Sequence, residues 1–573
     1  MSSTNALNTD PKNGPKNDPK SVLVKLGLLC LVVAGLAAAG FMLIGGRQGL
    51  LLIVARMRRV EPAANRPVIW EQGPAESAES AEQRKPNIIF ILADDMGYND
   101  ITFNGGGVAN GAVPTPSIDS IGRDGCSFPM AYAGNATCSP SRAALMAGRY
   151  PTRFGFEFTS APVNFARVVA MSLGNPFHKA IYHKEREKDV PPFQTQGLPT
   201  SEITIAELLS EAGYHTVHLG KWHLGETDEF RPERHGFHES LGFMAGGSMY
   251  ADPRSPAVVN AKQSFDPVDD FIWAAQPSGV QYNGSPVFKT DGYMTDYLTD
   301  QAIAAMEANR NRPFFMYLAY NAPHSPLQAT KEDYDALSQI EDHPLRVYAA
   351  MIRNLDRNIG RVLEAVREKG LENDTLVIFT SDNGGANYVG LEALNKPYRG
   401  WKATFFEGGL RVPFFMRWPG RLPKGETVAE PVTHVDIYAT AAAVAGATLP
   451  TDRVLDGQNL IPFIDKTTSG RPHESIYWRS GNYRSIRLAD WKLHVDDTRQ
   501  KKWLYNLADD PTEQHDLAEI NPAKVTELAT ELATIDAEQA KPLWPALIEV
   551  PVLIDKPMGR PVLATDDYIY WSN

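Results

Sequence analysis

Cysteine is almost missing from this chain, with three in 573 residues. Cys30 lies in an apolar run, and with Cys126 and Cys138 it cannot build a disulfide framework, so cysteine usage leaves the redox compartment open. Positive charge is also in deficit. Lys and Arg number 56 against 68 Asp and Glu, a formal net charge of −12. With no long basic run in the body of the chain, a general nucleic-acid binder is disfavoured. Anionic substrates are not excluded, because a local group of cationic side chains with a metal overrides the net field. No internal repeat is visible, which sets aside a repeat architecture.

What is present reads as an ordinary globular protein, 43% apolar and 22% charged. The length suits one large domain with a smaller companion. Residues 1–20 are rich in Asn, Pro, Lys and Ser, a composition that predicts disorder. The uncharged stretch "LGLLCLVVAGLAAAGFMLIGG" then runs from Leu26 to Gly46 between Lys25 and Arg47. At about 20 residues it suits one bilayer crossing. Region 21–59 is therefore read as a membrane anchor, ahead of a cleaved signal peptide. Lysines precede the span, but Arg47, Arg56, Arg58 and Arg59 follow it. That balance alone would keep the C-terminal bulk in the cytoplasm. Residues 60–85, rich in Pro, Ala, Glu and Ser, read as a flexible linker.

Unbroken apolar runs such as Ile88–Leu92 suit strands buried on both faces. Further runs lie around His215–Leu219, in "RPFFMYLAYNAPHSP" and in "DTLVIFTSDNGG". Helical patterns separate them. Thr204 and Glu207 fit a capping box, with Gly213 as a stop, and Tyr348–Lys369 has the period of a long helix. Strands alternating with helices predict an α/β fold, an open sheet with helices on both faces, over residues 86–470. From 471 to 573, short strand-like pieces and a helix near Pro522–Ala540 predict a smaller α+β subdomain.

Each buried strand ends in reactive residues: Asp94 and Asp95, then Lys221 and His223, then His324, then Asp382 and Asn383. Taken singly these are weak signals, since "DD" and "SDNGG" are common turn sequences and a lone His beside Pro is often incidental. Jointly they place four strand ends around one crevice, where open α/β sheets bind ligands. Asp94, Asp95, Asp382 and Asn383 offer only oxygen, a hard donor set suited to calcium or magnesium. Arg142, Lys221, Lys402, His223 and His324 beside such a metal make a site for a tetrahedral anion or its ester. Cys138 is out of place there, since a soft thiolate matches calcium poorly.

Cys138-Ser139-Pro140-Ser141-Arg142 resembles the C-x-P-x-R signature of the sulfatases. The resemblance runs from about Lys85 to Leu517 and includes "NIIFILADDMGYND", "GRYPTR", "GKWHLG", "NAPHSPLQ", "SDNGG", "RGWKATFFEGGLRVPFFMRWPG" and "THVDIYAT". It implies an alkaline-phosphatase-like large mixed sheet and oxidation of Cys138 to formylglycine by a maturation enzyme. The hydrated aldehyde, made nucleophilic with the help of the metal and Asp382, would then attack the sulfur of a sulfated aryl or carbohydrate substrate. Asp94, Asp95, Asp382, Asn383 and the modified Cys138 would hold calcium, ahead of magnesium. Arg142 would stabilise the hydrate, and Lys221 and Lys402 would hold the sulfate oxygens. His324 would meet the ester oxygen and, with Lys402, assist the leaving alcohol, and His223 would take a proton from the second hydroxyl as sulfate is expelled. The resemblance lapses in the N-terminus, in about Phe154–Pro199 and after Pro542. It also implies a catalytic domain outside the cytoplasm, membrane-anchored or secreted after cleavage. The alternatives are a phosphodiester or phosphonate monoester hydrolase of the same superfamily, and a catalytically silent binder of sulfated glycans. Of the sequons at Asn135, Asn283 and Asn373, the first lies too close to Cys138 to suit a glycan, and Cys126 reads as a small core residue.

Overall fold

The computed structural model describes residues 46–77 and 84–573. Contacts divide the chain into two units, Met1–Arg59 and Val60–Asn573. In the first, the described part contains the helix Gly46–Arg58. The expected membrane span falls almost wholly on residues outside the described ones. Among the described residues no helix is long and apolar enough to cross a membrane.

The second unit is built on a nine-stranded mixed sheet. Its centre is five parallel strands in the order Thr375–Ser381, Asn87–Asp94, Phe314–Pro323, His215–Lys221, Glu239–Phe243. Short antiparallel pairings flank them, Phe414–Arg417 on one side and Gln281–Tyr282 on the other. Every residue of Asn87–Asp94 is buried, because strand alternation sends successive side chains into two cores. Ile89, Ile91 and Ala93 join the core under the helices Met294–Ala308 and His343–Glu368. Ile88, Phe90 and Leu92 join the opposite core, under Cys138–Ala147, Ile205–Glu211 and Asp436–Ala445. The predicted layering is therefore observed, and so is the capping box: Thr204 Oγ accepts from Glu207 N while Glu207 accepts from Thr204 N. Cys126 is a buried core residue, as read, its thiol pushed up to about 12 by burial.

The C-terminal subdomain is a four-stranded antiparallel sheet from Ser475 to Asn506. The helix Pro522–Ala537 covers one face through Leu528 and Leu532, against Ile486, Leu493 and Leu504. The other face packs Trp478, Tyr483 and Trp503 on Phe405 and Phe406. A buried charge network closes this seam. Lys492 Nζ lies 2.7 Å from Glu407 and 3.1 Å from Glu513, and His494 binds Glu513 at 3.0 Å.

Two expectations need correction. The 60–85 stretch is not simply a free linker, because residues 60–77 belong to the compact body. Ala63 bridges to Phe288, Glu71 N donates to Glu239 Oε1 at 2.9 Å, and Trp70 is buried. Burial of a large aromatic ring adds apolar area to those backbone bonds in docking the segment. The boundary at 470 is also crossed. The segment 154–199 contributes the strand Ile181–Tyr182 to a three-stranded sheet with Ile548–Leu553 and Tyr568–Ser572. Ala166 and Val169 pack on Leu547 and Ile548. The two stretches where the family pattern lapses are thus folded against each other.

Asp100 supplies a prediction at this level. It accepts from Gly97 N at 2.7 Å and from Tyr348 Oη at 2.6 Å, yet burial outweighs both bonds and raises its carboxyl to about 7. The folded value lies above the unfolded one, so from about pH 4 to pH 7 the unfolded chain has released a proton that the folded chain keeps. Stability from this group is fully present below that window and is lost as pH rises through it. Asp100→Asn is expected to remove a slope of up to about 1.4 kcal/mol per pH unit, read as the wild-type-minus-variant difference in urea unfolding across the window.

Candidate active site

The carboxyl ends of the four strands do converge. Asp94 closes the Asn87–Asp94 strand, and Asp95 follows in left-handed backbone, φ 63°. That turn swings the second carboxylate toward Asp382 and Asn383 from the neighbouring strand. Asp95 N donates to Asp382 Oδ1 at 3.1 Å, and Asn383 Nδ2 donates to Asp95 Oδ1 at 2.8 Å. Cys138 begins its helix directly after Thr137 and is 3% exposed. Its Sγ lies 3.5 Å from Oδ1 of both Asp94 and Asp95.

Cations interleave with these carboxylates. Lys221 Nζ donates to both Asp94 oxygens, at 2.9 and 2.7 Å. Lys402 Nζ reaches Asp95 Oδ2 at 2.9 Å and Cys138 Sγ at 3.0 Å. One turn along the helix from Cys138, Arg142 sends Nε to Asp382 Oδ2 at 2.9 Å and Nη1 to the Lys221 carbonyl at 3.0 Å. Its Nη2 lies 3.5 Å from Asp94. His324 Nδ1 donates to the Ser325 carbonyl at 2.6 Å, which leaves Nε2 facing Asp95 Oδ2 at 3.6 Å. One ligating atom each from Asp94, Asp95, Cys138 and His324 lies within 4.8 Å of the others, a possible metal site.

The electrostatics follow from burial and charge together. Burial alone would raise Asp94 and Asp95, but Lys221, His324 and Arg142 around the first, and Lys402 and His324 around the second, hold both below the usual carboxylate range. Asp382 moves the other way, to about 6, through burial and the adjacent Asp94. Burial takes His324 down to about 4 against the pull of Asp94 and Asp95. His223, in left-handed backbone with φ 61°, is pushed well below its usual range by burial and by Lys221, Arg142 and Lys402. Its Nδ1 is buried without a partner, and a Cβ on Gly246 would stand 2.7 Å from its Nε2. It is therefore a neutral imidazole held in a tight slot.

Every candidate read from the sequence is thus in this region. Tyr388 was missed. Its Oη donates to Asp95 Oδ2 at 2.6 Å and accepts from Lys402 Nζ at 3.0 Å. It lies in a short turn, Asn387–Val389, a few residues past "SDNGG", and its only signal was that proximity to Asp382.

Three carboxylates here face three cations, and Asn383 Oδ1 remains a buried acceptor with no partner. A site that balances its own charge and keeps a bare amide oxygen has room for a divalent cation together with a tetrahedral anion. That is the demand of a hydrolase of phosphate or sulfate esters, and similarity decides between the two. The family model described as Sulfatase matches residues 86–447, and that of N-sulphoglucosamine sulphohydrolase, C-terminal, matches 399–539. N-acetylgalactosamine-6-sulfatase of Mus musculus is 31% identical over 418 residues, 72% of each chain. Steryl-sulfatase of Homo sapiens is 30% identical over 471 residues, covering 71% of this chain and 73% of its own. The crystal structure of Ps i-CgsB in complex with k-i-k-neocarrahexaose is 34% identical with TM-score 0.66, covering 80% of this chain and 95% of its own. The chain belongs to the sulfatase family. It is a sulfuric ester hydrolase.

Proposed function

We propose that this enzyme hydrolyses sulfate esters of carbohydrates, using a formylglycine made from Cys138 and a calcium ion held by Asp94, Asp95, Asp382 and Asn383. The observation that carries this reading is the setting of Cys138. Burial and Asp382 push its thiol well above the ordinary range. An unmodified cysteine would be a neutral thiol among hard oxygen ligands, neither a good nucleophile nor a fitting ligand. An aldehyde hydrate at this position would supply an oxygen nucleophile, and calcium would draw charge from the sulfate oxygens. The three carboxylates with the unpartnered Asn383 Oδ1 fit such an ion.

The chain's own residues divide the remaining work. Lys221 and Lys402 bind the sulfate oxygens. Arg142, tied to Asp382 and Asp94, keeps those carboxylates in register with Cys138. His324, fixed by its Nδ1 bond to Ser325, presents Nε2 toward the leaving-group oxygen. His223 is neutral and has an unoccupied ring nitrogen, so it can accept a proton.

A carbohydrate substrate is supported by the amino-sugar sulfatase and by the neighbour solved with a neocarrahexaose. The apolar run Leu26–Gly46 supports a membrane tether, the family resemblance supports a body outside the cytoplasm, and the motif at Cys138 supports dependence on a maturation enzyme. The test is mass spectrometry of the Cys138 peptide from the native host. Thiol-to-aldehyde conversion lowers the peptide by about 18 Da. Unmodified cysteine in a protein that still turns over an aryl sulfate would refute the formylglycine reading. Stripping divalent ions and restoring calcium or magnesium separately distinguishes the two metals.

A further inference from the structure

Tyr388 is bonded to catalytic groups on three sides, and no role for it follows from the site as described so far. Its Oη donates to Asp95 Oδ2 at 2.6 Å, accepts from Lys402 Nζ at 3.0 Å, and stands 3.4 Å from His324 Nε2. Lys402 also lies 5.4 Å from the centre of the Tyr388 ring. The hydroxyl has one proton, and the shortest bond commits it to Asp95. Its oxygen is then left as an acceptor for the ammonium of Lys402, while the Tyr388 ring stands edge-on to the His324 ring at 6.3 Å between centres. Lys402 and His324 are the two groups expected at the leaving-group oxygen.

The turn that carries Tyr388 is itself clamped by parts of the chain remote in sequence. Gln263 Nε2 donates to Val389 O at 3.0 Å. From the other direction Met558 N donates to Asn387 O at 3.0 Å, and Arg560 pairs with Glu392 at 2.8 Å. The Phe265 ring closes the gap between Gly390 and Gly559. A Cβ at either glycine would stand under 3 Å from it, and both have positive φ, 78° and 83°. Met558 to Arg560 lie in the tail, beyond residue 539 where the C-terminal family match ends.

We infer that Tyr388 is a positioning residue that aims Lys402 and His324 at the leaving-group oxygen, and that the C-terminal tail holds Tyr388 in place through the Met558–Asn387 bond. The inference rests on the sulfatase reading and adds to it a role for the tail in the reaction. A residue that helps protonate the departing oxygen matters most when that oxygen leaves reluctantly. General acid assistance is worth about 10²–10⁴-fold, and a positioning residue controls part of it.

The experiment uses the full-length, matured enzyme with aryl sulfates graded from 4-nitrophenyl, whose phenolate leaves readily, to unsubstituted phenyl. Tyr388→Phe removes the hydroxyl and keeps the ring. Its loss of kcat/KM is expected to be within about threefold on the nitrophenyl ester and at least about thirtyfold on the phenyl ester, a fraction of full acid catalysis. Met558→Pro deletes the N–H donor and also the Met side chain, so Met558→Ala, which keeps the N–H, is its control; the proline variant alone is expected to show the same dependence on leaving group, with smaller amplitude. A purely structural role for Tyr388 would lower both esters equally, or neither, and would overturn the inference. A leaving-group dependence in Tyr388→Phe that is absent in a folded Met558→Pro would overturn the part assigned to the tail. If the matured wild type releases sulfate neither from the series nor from a sulfated sugar, the proposed function itself fails, an outcome distinct from both.

Discussion

Cys138→Ala is expected to lower turnover of 4-nitrophenyl sulfate by at least about 10⁴-fold while the protein stays folded, as loss of a sole nucleophile does in other hydrolases. The side chain occupies the one point reached by Lys402 Nζ, Asp94 Oδ1 and Asp95 Oδ1 together. Among the described residues Tyr388 Oη also bonds Lys402 and Asp95, but its proton is committed to Asp95 Oδ2 at 2.6 Å. Ser139 is turned away, its Oγ donating to the His223 carbonyl at 2.7 Å, and Ser141 lies against His434. The fold should tolerate the change, since alanine favours a helix and the lost sulfur leaves a small void costing about 1 kcal/mol. Steady-state turnover and thermal unfolding on one preparation separate these effects. A variant that keeps wild-type turnover would move the nucleophile elsewhere in the site.

Arg142→Ala is expected to damage both stability and activity. The guanidinium is fully buried between Asp382 and Asp94, so its removal leaves Asp382 without its charge partner in the interior, while Asp94 keeps Lys221. Breaking a buried pair from one side costs about 3–5 kcal/mol, whereas the pair itself contributes much less. Asp382, already raised to about 6 by burial and Asp94, would take up a proton more readily once Arg142 is gone. The expected result is a lower urea midpoint with an unchanged m-value, and a fall in turnover of about 10³-fold from the disordered carboxylates. Arg142→Lys keeps the charge but cannot reach Asp382 and the Lys221 carbonyl together. It should recover part of the stability and little of the activity. Equal unfolding midpoints for wild type and Arg142→Ala would mean that the carboxylates are neutralised some other way.

Much of the site could be read from the chain because a parallel sheet makes its interior legible. Strands buried on both faces need unbroken apolar runs, and "NIIFILADD" and "DTLVIFTSDN" end where polarity returns, at the edge where ligands bind. Local chemistry was equally readable where it is short in range. The Thr204–Glu207 box and the Tyr348–Lys369 helical period need only residues a few positions apart, and both are present. Asn135 illustrates the transition to what is less readable. Its sequon was set aside for closeness to Cys138, and the structure adds that the side chain is 1% exposed and turned to the Arg479 carbonyl.

The resemblance to the sulfatases pointed to the kind of enzyme this is, and sequence by itself determined the strand ends, the hard donors at them and the misfit of Cys138 among those. These depend on hydrophobic period and on residue chemistry, which are local properties. Only the tertiary structure decided that Tyr388 stands among Asp95, Lys402 and His324, that Trp70 docks a stretch composed like a linker, and that the tail meets the 154–199 segment in one sheet. Each of those depends on which distant surface a side chain or strand edge finds. Pairing across hundreds of residues leaves no trace in composition or period, because any complementary partner at the right distance would satisfy the same local pattern.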